Sequence, residues 1–238
     1  MGEFEFRVRR EGAIARVDLN RPDEGNALTR AMMVVLAETL DGLGTDPDVH
    51  VVALESRGAF FCRGRDGRGE SRAGLTPYEV RQKMMGAVLG SYEAIARVPV
   101  PVVALVHADA LGYGAALAAA CDVTLAAAGA GFAFPEIEHD IPPTMAMCAA
   151  LGKVHAKALT YLVYSAEKIS ADAAAAVGLV SKVLPPARFA ADADAFLASL
   201  ASRPRLVLET IKRYQAKAEH LTPEMASEYA GTLLALVR

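Results

Sequence analysis

Alternation of apolar and polar residues opens the chain. "FEFRVRR" (Phe4–Arg10) alternates with period two, Glu11-Gly12 turns, and "AIARVDL" (Ala13–Leu19) alternates again, which predicts a hairpin at the start of a sheet. The period then lengthens. "TRAMMVVLAETLDGLG" (Thr29–Gly44) spaces its apolar residues by three and four behind Thr29 as N-cap, predicting a helix. "VHVVALES" (Val49–Ser56) is apolar enough to be a strand buried on both faces. Arg57–Leu75 is polar and rich in Gly and Arg, so a long loop is expected. Thr76-Pro77 opens a helix to about Arg97, "VPVPVVALV" ends in a strand at Val106, and "VTLAAA" (Val123–Ala128) is a further core strand. This alternation is α/β with a largely parallel sheet. Past Pro142 helical patterns dominate to Arg238, including "ISADAAAAVG", with Ser170 as N-cap and Gly178 as C-cap. No repeat of solenoid period and no low-complexity linker is visible.

Composition narrows the function classes. The 238 residues fit one large domain, or a core with a small appendage, and 53% hydrophobic residues supply a sizeable core. A formal net charge of -3 argues against nucleic acid or an anionic membrane as the main partner, while leaving room for a local basic pocket. "MGEFEFRVRREG" has neither the apolar region and cleavage site of a secretory signal nor a Ser or Thr at the sixth position for myristoylation. The apolar run Val98–Pro135 is broken by His107, Asp109 and Asp122, so no membrane span is expected. Cys62, Cys121 and Cys148 form no C-x-x-C pair, and a reduced, cytoplasmic protein is the simplest reading. Cys121 and Cys148 are expected to pack. Cys62 lies beside Arg63 and Arg65, which would lower its pKa if it were exposed, but packing is the expectation for it too. His107 is expected to pack at a strand end, and His50, His155 and His220 to sit at the surface.

Two loops have the character of a ligand site beyond the carboxyl ends of strands: "GAFFCRGRD" (Gly58–Asp66) and "ALGYG" (Ala110–Gly114). The second runs straight into a helix, so Gly112, Tyr113 and Gly114 offer free backbone N–H groups that favour negative charge. Two such loops side by side make an oxyanion hole out of backbone. The same glycines also suit tight helix–strand packing, and the residues alone leave both readings open. "ALGYGAALAAACD" (Ala110–Asp122) has no charged side chain before Asp122, so any acid or base comes from elsewhere.

"LNRPDEGNALT", "GAFFCRGRD", "ALGYGAALAAACD", "FAFPEIEHDIPP" and "YSAEKISADAAAAVGLVSKVLP", in this order, resemble the crotonase superfamily, the enoyl-CoA hydratase/isomerase family, from about Phe4 to the C-terminus. The resemblance implies an α/β crotonase fold of stacked ββα units over residues 1–185 and a C-terminal helical trimerisation region over 186–238. It implies a homotrimer or a dimer of trimers, an acyl-CoA thioester substrate, CoA arriving with that substrate, and no separate cofactor or metal. It places the oxyanion donors at the N–H groups of Arg63 and Tyr113, with Gly64 and Gly112 keeping the approach open. Asn26, Ala27, Leu28, Arg65 and Asp66 would frame the adenine of CoA. Hydratases of the family carry a Glu at the position of Ala116, and a second Glu that corresponds to Glu136. One carboxylate suits the movement of a double bond, the pattern of Δ3,Δ2-enoyl-CoA isomerases. Glu136 beside Phe132, Phe134 and Ile137 would have a raised pKa.

Other readings stay beside this one. Glu136, Glu138, His139 and Asp140 cluster, but lack standard zinc spacing. His139 or Asp140 would serve a hydratase or a thioester hydrolase, and a non-catalytic acyl-CoA-binding protein is a third possibility. Arg63, Arg65 and Arg68 would either meet CoA phosphates or form a solvated loop, and "IKRYQAK" (Ile211–Lys217) poses the same choice. "TLLALVR" stops short of typical relatives, which implies a more open site or one covered by another subunit.

Overall fold

Residues 6–237 are described in the computed structural model, so Phe4 and Glu5 of the expected first strand lie outside the described residues. The opening alternation forms β1 (Phe6–Glu11) paired antiparallel with β2 (Ile14–Leu19). Then follow α1 (Arg30–Thr45), capped by the Thr29 side chain accepting from Met32 N–H, and β3 (Val51–Ser56). The expected long loop contains a short strand, β4 (Phe60–Cys62). A capping box at Thr76 and Glu79 starts α2 (Pro77–Val80), and one π turn joins it to α3 (Gly86–Arg97). Next come β5 (Val102–Val106), β6 (Asp109–Leu111), α4 (Tyr113–Ala120), β7 (Val123–Ala127) and β8 (Gly131–Ala133). The helical half begins with α5 (Thr144–Ala150) and α6 (Ala156–Ser165), then β9 (Ile169–Ser170), α7 (Ala171–Ala176) and β10 (Lys182–Leu184). It ends with α8 (Phe189–Ala201), α9 (Arg205–Ala218) and α10 (Pro223–Ala235).

Two sheets replace the single sheet expected. Six strands pair in the order β1-β2-β3-β5-β7-β10, parallel beyond the first hairpin, and four short strands pair as β4-β6-β8-β9. Each of three successive segments gives one strand to each sheet: β3 and β4, β5 and β6, β7 and β8. These are repeated ββα units. Their unequal lengths hide the period, and strands of three residues are too short to show alternation.

Burial follows the pleat of β2. Ala15, Val17 and Leu19 enter the large core with Met32, Leu36, Ile95 and Leu117. Ile14 enters a second core with Val51, Ala53, Val103 and Leu105, closed by Ala193 and Leu197 of α8. Helix α8 therefore shares its core with the sheet. Lys212 of α9 reinforces this, donating to Ile95 O (2.9 Å), Val100 O (3.2 Å) and Asp122 Oδ2 (2.7 Å). Arg205 caps the end of α1 through Gly44 O at 2.8 Å.

On the α8-facing side of β2, Arg16 is held by Glu11, Glu55 and Asp194 at 2.8, 2.9 and 2.6 Å. Asp18 fares differently. It is buried, both carboxylate oxygens lack a hydrogen-bond partner, and Arg57 Nε stands 3.6 Å away. Burial, and then repulsion from Glu55, push its carboxyl above the ordinary value. A carboxyl whose folded pKa is raised costs stability wherever it must be ionised, and costs nothing below its unfolded pKa of about 3.9. Asp18→Asn is therefore expected to raise the melting temperature at neutral pH and to lose that gain below about pH 4. Melts at the two pH values check this, and an equal gain at both would contradict it.

Candidate active site

Parallel pairing of β4, β6 and β8 sets Cys62, Ala110 and Phe132 in one row. Just past that row three segments leave the sheet together: Arg63–Asp66, Gly112–Gly114 and the 3-10 turn Pro135–His139. Glycine makes their approach possible. A Cβ on Gly114 would lie 2.1 Å from Cys62 O, so only a bare α-carbon fits. Gly112 has φ 52°, and a Cβ there would be 3.2 Å from Glu136 Oε1. The Glu136 carboxyl thus sits against the glycine turn.

Hydrogen bonding decides which N–H groups are free. Arg63 N–H donates to Gly25 O at 2.8 Å, so the Arg63 donor expected from the sequence is already taken. Gly112 N–H donates to Ala133 O at 2.9 Å. Among the described residues, the N–H groups of Gly64, Arg65, Tyr113 and Gly114 have no acceptor, and Arg65 and Tyr113 are the two whose direction matters here. Arg65 forms a parallel bridge with Leu28, in which Leu28 N–H donates to Gly64 O (3.1 Å) and Asp66 N–H to Leu28 O (2.8 Å). The flanking groups make that bridge, so Arg65's own N–H points the other way. The signal that could have identified Arg65 was this alternation of N–H direction in an extended loop. The F-x-x-G-x-D pattern does not carry it.

Arg65, Tyr113 and Glu136 line one cavity of about 350 Å³. Met85 at the end of the π turn and Val88 and Tyr92 of α3 form an apolar wall, and Ile141, Met145 and Ala146 face the same space. Arg63, Arg65 and Arg72 line it as well. Glu136 is half-buried, and its Oε2 is inaccessible and has no hydrogen-bond partner. Burial pushes this carboxyl above its ordinary value. Phe132 and Phe134 are buried as expected, but Ile137 is exposed and does not line the cavity. His139 lines it, and Asp140 does not. Ala116 lies in α4, whose eight residues are all buried, and is absent from the lining.

The remaining sequence candidates take other places. Asn26, Ala27 and Leu28 lie against the Arg63–Asp66 loop but outside the cavity lining. Asn26, at φ 54°, donates to Arg57 O and Phe60 O, both at 2.7 Å, and accepts from Arg21 N–H at 3.0 Å. Asp66 faces a neighbouring groove of about 750 Å³ between α1 and α3, and bonds to Arg68 and Arg21 hold its carboxyl well below the usual range. Arg65 pairs with Glu70 at 3.2 Å and Arg68 with Glu24 at 2.7 Å. Arg63 is exposed over the Phe60 ring, and among the described residues has no carboxylate partner. Cys62 is buried and its thiol is pushed up to about 12, so it packs; Cys148, expected to pack, is exposed. His107 is half-buried, with Nε2 2.9 Å from Gly58 O, and His50 contacts Ala201 O at 3.0 Å. Among the described residues, no group of three or more His, Cys, Asp or Glu could hold a metal, and no helix is long and apolar enough to cross a membrane.

Comparison with known proteins follows the same outline. The family described as enoyl-CoA hydratase/isomerase is matched over residues 9–233. A 2,3-dehydroadipyl-CoA hydratase of Escherichia coli (strain K12) is 33% identical over 187 residues, 76% of this chain and 69% of that protein. The mitochondrial Delta(3,5)-Delta(2,4)-dienoyl-CoA isomerase of Homo sapiens is 27% identical over 212 residues, 84% of this chain and 64% of that protein. The crystal structure of an enoyl-CoA hydratase from Mycobacterium smegmatis superposes with a TM-score of 0.91 at 31% identity, covering 98% of this chain and 91% of that one.

Proposed function

Because the chain belongs to the enoyl-CoA hydratase/isomerase family, we propose that it shifts a double bond in an enoyl-CoA thioester, with Glu136 as its acid and base. The observation that carries this reading is that Glu136 is the one carboxylate among the residues lining the cavity. Hydration benefits from two carboxylates, one to activate water and one to handle the α-proton. Moving a double bond needs one group, which takes a proton at C2 and returns it at C4. Ala116 stands where the hydratases' additional Glu would be.

The proposed cycle uses only groups of this chain and the substrate. The thioester oxygen accepts from the N–H groups of Arg65 and Tyr113. Glu136 removes the C2 proton of a 3-enoyl thioester, and the electron pair delocalises onto the thioester oxygen as a dienolate. The two N–H groups stabilise that charge. The protonated Glu136 then delivers its proton to C4, leaving the conjugated 2-enoyl thioester. A raised carboxyl pKa suits a group that must both accept and donate. CoA enters with the substrate, and Arg63 and Arg72 at the cavity offer positive charge to its phosphates. The proposal extends to a homotrimer or dimer of trimers in the cytoplasm. Exposed Leu206, Ile211, Met225 and Leu234 on α9 and α10 support the assembly.

A second reading, hydration or thioester hydrolysis with His139 orienting water, is favoured by one observation, the presence of His139 in the cavity lining. The experiment that separates them offers the protein a 3-enoyl-CoA and follows both the ultraviolet absorbance of the conjugated thioester and free CoA. Isomerisation raises the first and leaves the second flat. With Glu136 as base, the ionised form is active, so kcat/KM should rise with pH through a midpoint above the ordinary glutamate value of about 4.3. Release of free CoA without conjugation would sink the isomerase reading.

A further inference from the structure

Tyr113 has a side chain as well as an N–H, and the side chain takes no part in the proposed cycle. Its ring is buried, with 6% exposure, and lies stacked on Tyr92 with centroids 5.6 Å apart and planes inclined by 23°. Its hydroxyl is 2.8 Å from Ser91 Oγ. Ser91 is fully buried, and its single hydroxyl proton is committed to Val88 O at 2.7 Å. Tyr113 O–H must therefore donate to Ser91 Oγ. Burial drives the phenol pKa up, so it stays neutral and remains a donor. A residue whose backbone offers an oxyanion donor is thus pinned through its side chain to α3.

Both tyrosines line the cavity, together with Met85 of the π turn and Val88, which precede Tyr92 along the same stretch. The spacing 85, 88, 92 follows one helical stripe. The cavity lining thus combines two unlike chemistries: three arginines, and this aromatic and aliphatic wall. A thioester with a polyanionic carrier would place its carrier toward the arginines and its acyl tail toward the tyrosines. The tail meets two buried, stacked rings, of which Tyr113 is braced by a buried hydrogen bond. At about 350 Å³ the cavity is also near the small end for ligand sites, roughly 300–1,000 Å³.

We propose that the Tyr92–Tyr113 pair is the floor of the acyl site, and that it restricts this protein to short acyl groups. The proposal deepens the acyl-CoA reading above and rests on it. Tyr92 is the specificity-determining residue, and Ser91 is a positioning residue that acts through Tyr113.

The test measures binding of saturated butanoyl-, hexanoyl-, octanoyl- and dodecanoyl-CoA by calorimetry, which needs no turnover. The unsubstituted protein should bind butanoyl- and hexanoyl-CoA, and lose at least about tenfold in affinity at dodecanoyl-CoA. Tyr92→Ala should recover that loss. Tyr92→Leu, which keeps apolar bulk and safeguards folding, should recover part of it, and Tyr92→Phe should restore the original profile. Affinity that stays flat or rises with chain length in the unsubstituted protein would overturn the proposal, as would an unchanged profile in both Tyr92→Ala and Tyr92→Leu. Chain-length-dependent binding without turnover of any 3-enoyl-CoA would uphold the floor and count against isomerisation. Failure to bind any acyl-CoA would overturn both.

Discussion

Glu136→Gln is expected to lower kcat/KM for isomerisation of a 3-enoyl-CoA by roughly 10²–10⁴-fold, the usual worth of a positioned acid or base. Glutamine keeps the length and shape of the side chain, so contact with the Gly112 turn persists while proton transfer is lost. Stability should move in the opposite direction. Glu136 Oε2 is buried with no hydrogen-bond partner, and burial raises the carboxyl pKa. Ionisation in the folded state therefore costs stability above the unfolded pKa, and the full cost is present above the folded one. Glu136→Gln should accordingly melt higher than the parent at neutral pH and no higher below about pH 4, where both states are protonated. A steady-state assay paired with thermal melts checks this. An inactive variant that is also less stable at neutral pH would point to collapse of the turn instead of loss of a proton carrier.

Gly114→Ala should have the other large effect. The added methyl would meet Cys62 O at 2.1 Å, Cys62 Cβ at 2.7 Å and Cys62 C at 2.9 Å. Two of those atoms are backbone of a paired strand, so no rotamer change relieves the contact. The start of α4 must move away from the end of β4. Overpacking of this kind costs about 1–3 kcal/mol or more. A shift of about 1 Å between the two donors is enough for about a 10²-fold loss of rate. Gly90→Ala is the matching control: nothing lies within 4 Å of its added Cβ, and it sits inside α3. That change should gain up to about 1 kcal/mol from helix propensity. Denaturant unfolding of both variants, alongside activity, tests the contrast. A Gly114→Ala protein of normal stability and rate would mean that the two loops are not held in this approach.

Much of the fold is legible in the residue pattern alone. The hairpin, α1 behind Thr29, the helix from Pro77 to Arg97 and the buried strands at Val51, Val102 and Val123 follow from period and capping, because their burial is one-sided or complete over five or more residues. The second sheet is not legible in this way. Phe60–Cys62, Asp109–Leu111 and Gly131–Ala133 are three residues each, and local sequence does not distinguish such pieces from loop. Glu136 can be singled out as a carboxylate between apolar residues beside a proline. The Arg63 assignment fails because a pattern of residue types does not say where an N–H points. That depends on which neighbour, Gly25 or Leu28, the chain pairs with after folding. Cys148 misleads for a similar reason: a small apolar-looking residue in α5 has no local mark of which side of the helix faces out.

The row formed by Cys62, Ala110 and Phe132 marks where the proposed donors and the proposed base leave the sheet. Arg65 and Tyr113 each come three residues beyond their member of the row, and Glu136 comes four beyond its own. Three successive ββα units thus each bring one cavity-lining residue to the same end of the short sheet. Neighbouring strands stand about 4.8 Å apart. Two nitrogens that bond one oxygen at about 2.9 Å each, from directions near the tetrahedral angle, are separated by nearly the same distance. An oxyanion held by two donors as in the proposed cycle therefore needs about the spacing that neighbouring strands have. The approach of the two loops that would supply those donors rests on strand pairing and on the bare α-carbon of Gly114.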